Sequence, residues 1–157
     1  MLPAADGQAP GKRAMLMEEI KQVGFDNVRE IPVSDIPFEP SLIELCEMNS
    51  CGNYGKCYTC PPYVGKTEDL IARAKTFDTI LVFQKIYRLA DSFDIEGMGE
   101  GQKDFHKRLD MADDVCRKNL ERYLLLGAGG CRRCQPCGVV EGVACRFPDK
   151  AFASLES

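Results

Sequence analysis

CEMNSCGNYGKCYTCPP, the stretch from Cys46 to Pro62, places four cysteines in fifteen residues and punctuates them with Gly52, Gly55 and the pair Pro61-Pro62. Working outward, a second stretch, CRRCQPCGVVEGVACRFP from Cys131 to Pro148, carries four more thiols. The remainder of the 157 residues reads as a small scaffold that presents these two quartets. The start of the chain, MLPAADGQAPGKRAMLME, has no apolar segment of a secretory leader, and Ile80 to Phe83, the longest apolar run, is far too short for a membrane span. A soluble, cytoplasmic protein with reduced thiols is therefore expected. Nine cysteines, an odd count, spaced C-x4-C-x5-C-x2-C and C-x2-C-x2-C-x7-C, then point to metal ligation rather than to a disulfide framework. The 20 basic and 24 acidic residues are interleaved and leave a net charge of −4, so no nucleic-acid-binding surface is expected.

Residues 1–12 are rich in Ala, Gly, Pro and Gln without periodicity and read as a disordered tail, followed by a single metal-binding domain over residues 13–157. Leu16, Ile20 and Val23 fall at helical spacing before Gly24, predicting a helix from Arg13 to Val23. Val28 to Val33 reads as a strand placed at a sheet edge, or ending there, because Pro32 cannot donate to a ladder. Ser41 and Glu44 have capping-box spacing ahead of a short helix that delivers Cys46. Thr67 is expected to cap a helix with Glu68 and Asp69 in its first turn and Leu70, Ile71 and Ala74 inward. Asp78 to Leu89 reads as the central, most buried strand. Asp91 to Gln102, with Gly97, Gly99 and Gly101, reads as a mobile loop that matches neither a calcium loop nor a dinucleotide fingerprint. A long helix from about Gln102 to Leu126 follows, with Cys116 in its apolar stripe as a buried small residue and His106 beside the stripe at the surface. Gly127 to Gly130 is its flexible lead-in to the second cysteine loop. The fold class expected is α/β or α+β, a small sheet flanked by helices, with both cysteine loops at one end.

Eight thiols are candidate ligands: Cys46, Cys51, Cys57 and Cys60 in the first loop, and Cys131, Cys134, Cys137 and Cys145 in the second. Four converging thiolates suit an iron–sulfur cluster or a structural zinc ion. Zinc ribbons usually pair two C-x2-C units, whereas Cys131, Cys134 and Cys137 form a triple at i, i+3 and i+6, as in the C-x2-C-x2-C run of bacterial ferredoxins. One or two [4Fe–4S] clusters are expected, with zinc as the alternative. Cys60-Pro61 supplies the Cys-Pro step, while Cys145-Arg146-Phe147-Pro148 departs from it. Tyr54, Tyr58 and Tyr63 stand where they can shield a cluster, and Arg132, Arg133, Arg146 and Lys150 where they can offset its charge or dock an acidic redox partner.

The run Cys51-Gly-Asn-Tyr54-Gly55-Lys56-x3-Cys60-Pro61-Pro62, with the later Cys-x2-Cys-x2-Cys and Cys145-Arg146-Phe147-Pro148, resembles an uncharacterised family of predicted metal-binding proteins of anaerobic bacteria and archaea. The likeness extends from about Ile31 to Glu156. It implies iron–sulfur binding and a place beside corrinoid or one-carbon enzymes, but no settled reaction. Where such proteins carry a small residue and then Trp, this chain has Cys57 and Tyr58. That makes Cys57 an extra thiol, leaves Cys46, Cys51 and Cys60 as the first loop's ligands, and opens one iron to substrate. Relatives usually run beyond Ser157, so a closing C-terminal element is expected to be missing here. Two functions follow: an electron carrier or reductive activator, with an open-site iron–sulfur enzyme as its variant, and a zinc-stabilised interaction module.

Overall fold

The computed structural model describes residues 2–4, 10–127 and 129–148. Its centre is a strand whose sequence is apolar on both sides. Ile80 and Leu81 are adjacent, so their side chains leave opposite faces of the pleat. Leu81 and Phe83 enter one buried cluster and Ile80 another. Burial on both faces explains the uninterrupted apolar run.

In chain order the elements are β1 (Leu2–Ala4), α1 (Pro10–Gln22), β2 (Asn27–Pro32), α2 (Ile43–Glu47), α3 (Thr67–Ala74), β3 (Thr79–Gln84), α4 (Ile95–Asn119) and α5 (Gly138–Glu141), with short 3-10 turns at Val33–Asp35 and Pro40–Leu42. The sheet order is β1-β3-β2. Both pairings are antiparallel, with β2 registered from Asn27 opposite Gln84 to Pro32 opposite Thr79. Antiparallel pairing decides between the two expected classes: the fold is α+β. Pro32 sits at the end of an edge strand, where its missing N–H costs no ladder bond.

Helices α1 and α4 cover the Leu81 face. Leu16 and Ile20 from α1 meet Leu109, Ala112 and Cys116 from α4, all nearly free of solvent contact. Each such side chain contributes on the order of 1.5–3 kcal/mol by leaving water. Gly24 (φ +98°) ends α1, its N–H donating to the Lys21 carbonyl at 2.8 Å. On the other face Val33, Phe77 and Leu124 pack on Ile80.

Several local expectations are corrected. Leu2–Ala4 forms β1 on the free edge of β3, and α1 begins at Pro10, where the sequence reads as a disordered tail; residues 5–9 lie outside the described residues. Backbone pairing needs no side-chain periodicity, so it left no signal. The Ser41–Glu44 capping box is absent. Glu39 instead accepts from the Ser41 hydroxyl at 2.9 Å and caps the 3-10 turn before α2. Thr67 is the first residue of α3 rather than its cap, which is Lys66. The central strand stops at Gln84, not Leu89.

The glycine-bearing stretch read as a mobile loop is the start of α4. Asp94 caps it, accepting from the Gly97 N–H at 2.8 Å, which outweighs the poor helix propensity of three glycines. Gly101 is required there by close approach, since a Cβ would lie 3.0 Å from the Tyr87 ring. At its other end α4 stops at Asn119, not Leu126. Leu120 is already extended (φ −124°, ψ 133°). From Leu120 to Leu126 the chain runs as an irregular segment whose side chains alternate from residue 123, with Tyr123 and Leu125 in the Leu81 cluster and Leu124 in the Ile80 cluster. The segment is pinned by the Tyr123 hydroxyl, which donates to buried Asp113 at 2.6 Å. Among the described residues no helix is long and apolar enough to cross a membrane.

Candidate metal centre

The two cysteine loops meet, and they meet at Cys57. That thiol is 3% exposed, whereas Cys46 and Cys51 are exposed and Cys60, Cys131, Cys134, Cys137 and Cys145 are half-buried. Tight turns build the first loop: Gly55 N–H donates to Pro61 O at 2.9 Å, Cys60 N–H to Cys57 O at 3.0 Å, and Asn49 Oδ1 accepts from Tyr54 N–H at 3.0 Å. These bonds curl Cys57-x2-Cys60 into one turn that presents both sulfurs on one side. The second loop is closed by Val143 N–H donating to Gly138 O at 2.9 Å.

Three contacts join the loops. The Cys57 thiol donates to the Cys131 carbonyl at 3.6 Å. Thr59 Oγ1 accepts from Cys131 N–H at 2.9 Å and lies 3.2 Å from Cys57 Sγ. The Tyr58 hydroxyl donates to Val143 O at 2.9 Å. Gly130 lets the loops close. A Cβ built on it would stand 3.0 Å from Cys60 Sγ and 3.5 Å from both Cys57 Sγ and Asn53 Cγ.

The thiols perturb one another as a group. Burial, then the neighbouring Cys57 and Cys51 thiols, push Cys60 up to about 11. Cys131 is raised by burial and by Cys57, against the Arg133 N–H, which favours its thiolate. Burial acts to raise Cys137 too, but the N–H groups of Val139 and Tyr58 and the thiols of Cys57 and Cys134 outweigh it, and the net shift is downward. A bound cation would compensate the cost of burying such thiolates.

Of the eight candidate ligands, Cys57 stands beside Cys60 and Cys131, and Cys134 and Cys137 are their electrostatic neighbours, although among the described residues no three Cys, His, Asp or Glu side chains are gathered for one ion. Cys51 reaches the edge of this group through Cys60. Cys46, exposed at the end of α2, and Cys145, after α5, exert no leading influence on Cys60, Cys131 or Cys137. Against the expectation of Cys46, Cys51 and Cys60 as the first loop's ligands with Cys57 as the extra thiol, the structure buries Cys57 one turn from Cys60 and leaves Cys46 exposed in α2 beside exposed Leu45.

Thr59, Gly130 and Asn53 were missed by sequence reasoning. Thr59 had a signal, a hydroxyl between two thiols of a C-x2-C turn. The guanidiniums separate by role: Arg146 bonds Glu141 and the Cys134 thiol, Arg133 pairs with Asp110, and Lys150 lies outside the described residues. Tyr58 and Tyr63 stack edge to face at 5.8 Å beside the site. Cys116 is fully buried in the core, its thiol pushed up to about 12 by burial and by Asp113.

His106, read as a surface residue, is half-buried against the second loop. Its Nε2 is buried without a hydrogen-bond partner, and burial together with Arg132 lowers its proton affinity.

No curated protein and no solved structure matches the chain. One family does, by a match over residues 29–157 that takes in β3, both cysteine loops and every thiol of the site. The chain belongs to the family described as predicted metal-binding protein (DUF2284).

Proposed function

We propose that the chain holds one iron–sulfur cluster where its two cysteine loops meet and passes single electrons to or from a partner redox enzyme. The observation that carries this reading is the junction itself, with buried Cys57 on the Cys131 carbonyl. The donor set there is entirely sulfur, the soft ligand type that iron–sulfur clusters and zinc select. A single zinc ion holds its thiolates at about 2.3 Å, and hence about 3.8 Å from each other. Among the described residues no three Cys, His, Asp or Glu side chains are gathered for one ion. A looser set of five thiols, three of them at i, i+3 and i+6, suits the wider corners of a cubane.

When bound, the cluster supplies one-electron transfer at a potential set by exposure and by hydrogen bonds to its sulfurs. The chain's own part is to position those bonds. Thr59 holds Cys57, the N–H groups of Tyr58 and Val139 favour the Cys137 thiolate, and Arg146 sets a positive charge against Cys134. The three other loop cysteines do not assemble a second four-thiol set, so one cluster is the reading. Since Cys57 is in the group, its supposed absence no longer argues for an open iron. The partner class in view is a corrinoid or one-carbon enzyme that needs reductive activation. Zinc is the second reading, favoured by one observation: Cys57-x2-Cys60 faces Cys131-x2-Cys134 as two knuckles do.

Anaerobic purification followed by iron, acid-labile sulfide and zinc analysis, with absorption and EPR spectra, separates the two. Colourless protein with about one zinc per chain and no sulfide sinks the redox reading. Cys57→Ser is expected to lose the cluster signal and Cys116→Ser to keep it; a full signal in Cys57→Ser overturns the placement of Cys57.

A further inference from the structure

Beside the junction, between α4 and the second cysteine loop, lies a pocket of about 220 Å³. Cys131, Arg132 and Arg133 of the second cysteine loop form one of its walls. Its charge is lopsided. Lys107, Arg132 and Arg133 line it with one carboxylate, Asp110, which is already engaged by Arg133. That ion pair fixes the wall and leaves a net positive lining. Phe147, 43% exposed, supplies an apolar surface at the same pocket. His106 belongs to the wall as well.

We propose that this pocket binds a small organic carboxylate, its charge met by Arg132 and Lys107 and its short apolar chain laid against Phe147. The volume admits such a molecule: a cavity of about 150 Å³ holds benzene. An inorganic oxyanion would meet the cations but leave the Phe147 wall unused. A guanidinium favours a planar carboxylate through its paired N–H groups. The site would place this ligand beside Cys131 and so next to the metal centre. The inference stands on the pocket's lining and does not need the metal to be iron.

The test is calorimetric titration of the metal-loaded chain, as purified, with butyrate, and in parallel with butyramide and inorganic phosphate. The chain has a single histidine, so its imidazole proton signals report the location of binding without assignment. Butyrate is expected to bind saturably and to shift those signals, with butyramide at least tenfold weaker and phosphate weaker than butyrate. Arg132→Ala and Lys107→Ala, both at exposed positions, are each expected to weaken butyrate at least fivefold; Phe147→Ala is expected to weaken butyrate more than acetate. Absence of saturable heat, butyramide binding as tight as butyrate, or unchanged affinity in both Arg132→Ala and Lys107→Ala overturns the proposal. Tighter phosphate binding overturns the carboxylate assignment. Metal content is measured on the same samples, so a metal-free chain that still binds butyrate sinks the metal reading and leaves the pocket standing.

Discussion

Gly130→Ala isolates the metal-bound state from the fold. The added methyl would stand 3.0 Å from Cys60 Sγ and 3.5 Å from Cys57 Sγ and Asn53 Cγ. The first of these is tight enough that a sulfur must move by a few tenths of an ångström. Gly130 has an ordinary negative-φ conformation, so the backbone itself accepts Ala. In the metal-free chain Cys60 is half-buried and can rotate, and the cost should stay below about 0.5 kcal/mol, offset in part by the lower entropy of an unfolded Ala. With metal bound, Cys57 and Cys60 are held by their bonds and cannot yield. The overpacking cost, about 1–3 kcal/mol, then falls on the bound state alone. At about 1.4 kcal/mol per tenfold, affinity should drop roughly 5- to 150-fold. Competition with a chromophoric chelator measures the affinity, and urea unfolding of the metal-free protein measures the fold. Wild-type affinity in Gly130→Ala would refute the convergence of Cys57 and Cys60 at the site, and equal losses in both measurements would show that Gly130 serves packing alone.

Other consequences are open to measurement. Tyr123→Phe removes a 2.6 Å hydrogen bond to buried Asp113 and should cost about 1.5–3 kcal/mol in urea unfolding, because the acceptor is a carboxylate; an unchanged midpoint would show that the Leu120–Leu126 segment is not held there. Gly99→Ala meets nothing within 4 Å and should stabilise α4 by about 0.5–1 kcal/mol, whereas Gly101→Ala, 3.0 Å from Tyr87, should destabilise. If the segment were a loop, as its glycines suggest, the two would behave alike. Asp26 accepts from the Ile86 N–H at 2.6 Å and pairs with Lys85, and these hold its carboxyl below the ordinary value. Its contribution is therefore present above the unfolded pKa of about 4 and is lost as pH falls through the lower folded value. The stability deficit of Asp26→Asn should be constant near neutrality and shrink in acid; a deficit that grows on acidification contradicts the sign.

The legible parts of the fold were those with one period and one neighbour. Leu16, Ile20 and Val23 marked α1, Pro32 marked an edge, and Ile80 to Phe83 marked the centre of the sheet. The long helix was legible in its middle and wrong at both ends, for different reasons. At its start, Gly97, Gly99 and Gly101 outvoted Asp94, yet one capping carboxylate and a close fit against Tyr87 suffice to hold those turns. At its end, Leu120, Tyr123 and Leu124 satisfy i, i+3, i+4 as well as they satisfy an irregular segment alternating between two cores. Sequence periodicity alone does not separate these cases; the Tyr123–Asp113 bond does, because it needs the chain to double back along α4.

At the site, the general expectation of metal binding was legible, as the family shows, and connectivity was not. Cysteine spacing nominates eight thiols, since ligand type and tight-turn residues are local properties. Which thiols share a centre depends on how far apart Cys57 and Cys131, 74 positions apart in sequence, lie after the chain has folded. The family pattern expected from the sequence, with Cys57 as an extra thiol, pointed away from it. Yet Cys57 is buried and bonded among those sulfurs, disfavouring the Cys60 and Cys131 thiolates and favouring that of Cys137. The shifts at Cys60, Cys131 and Cys137 all name Cys57 as a contributor. A residue that perturbs three candidate ligands is part of their site whether or not it bonds the metal: as a ligand it replaces a more exposed thiol, and as a protonated donor it tunes the sulfurs that do bind. In both roles Cys57→Ser changes the spectrum of the bound centre, while Cys46→Ser, at an exposed position, leaves it intact.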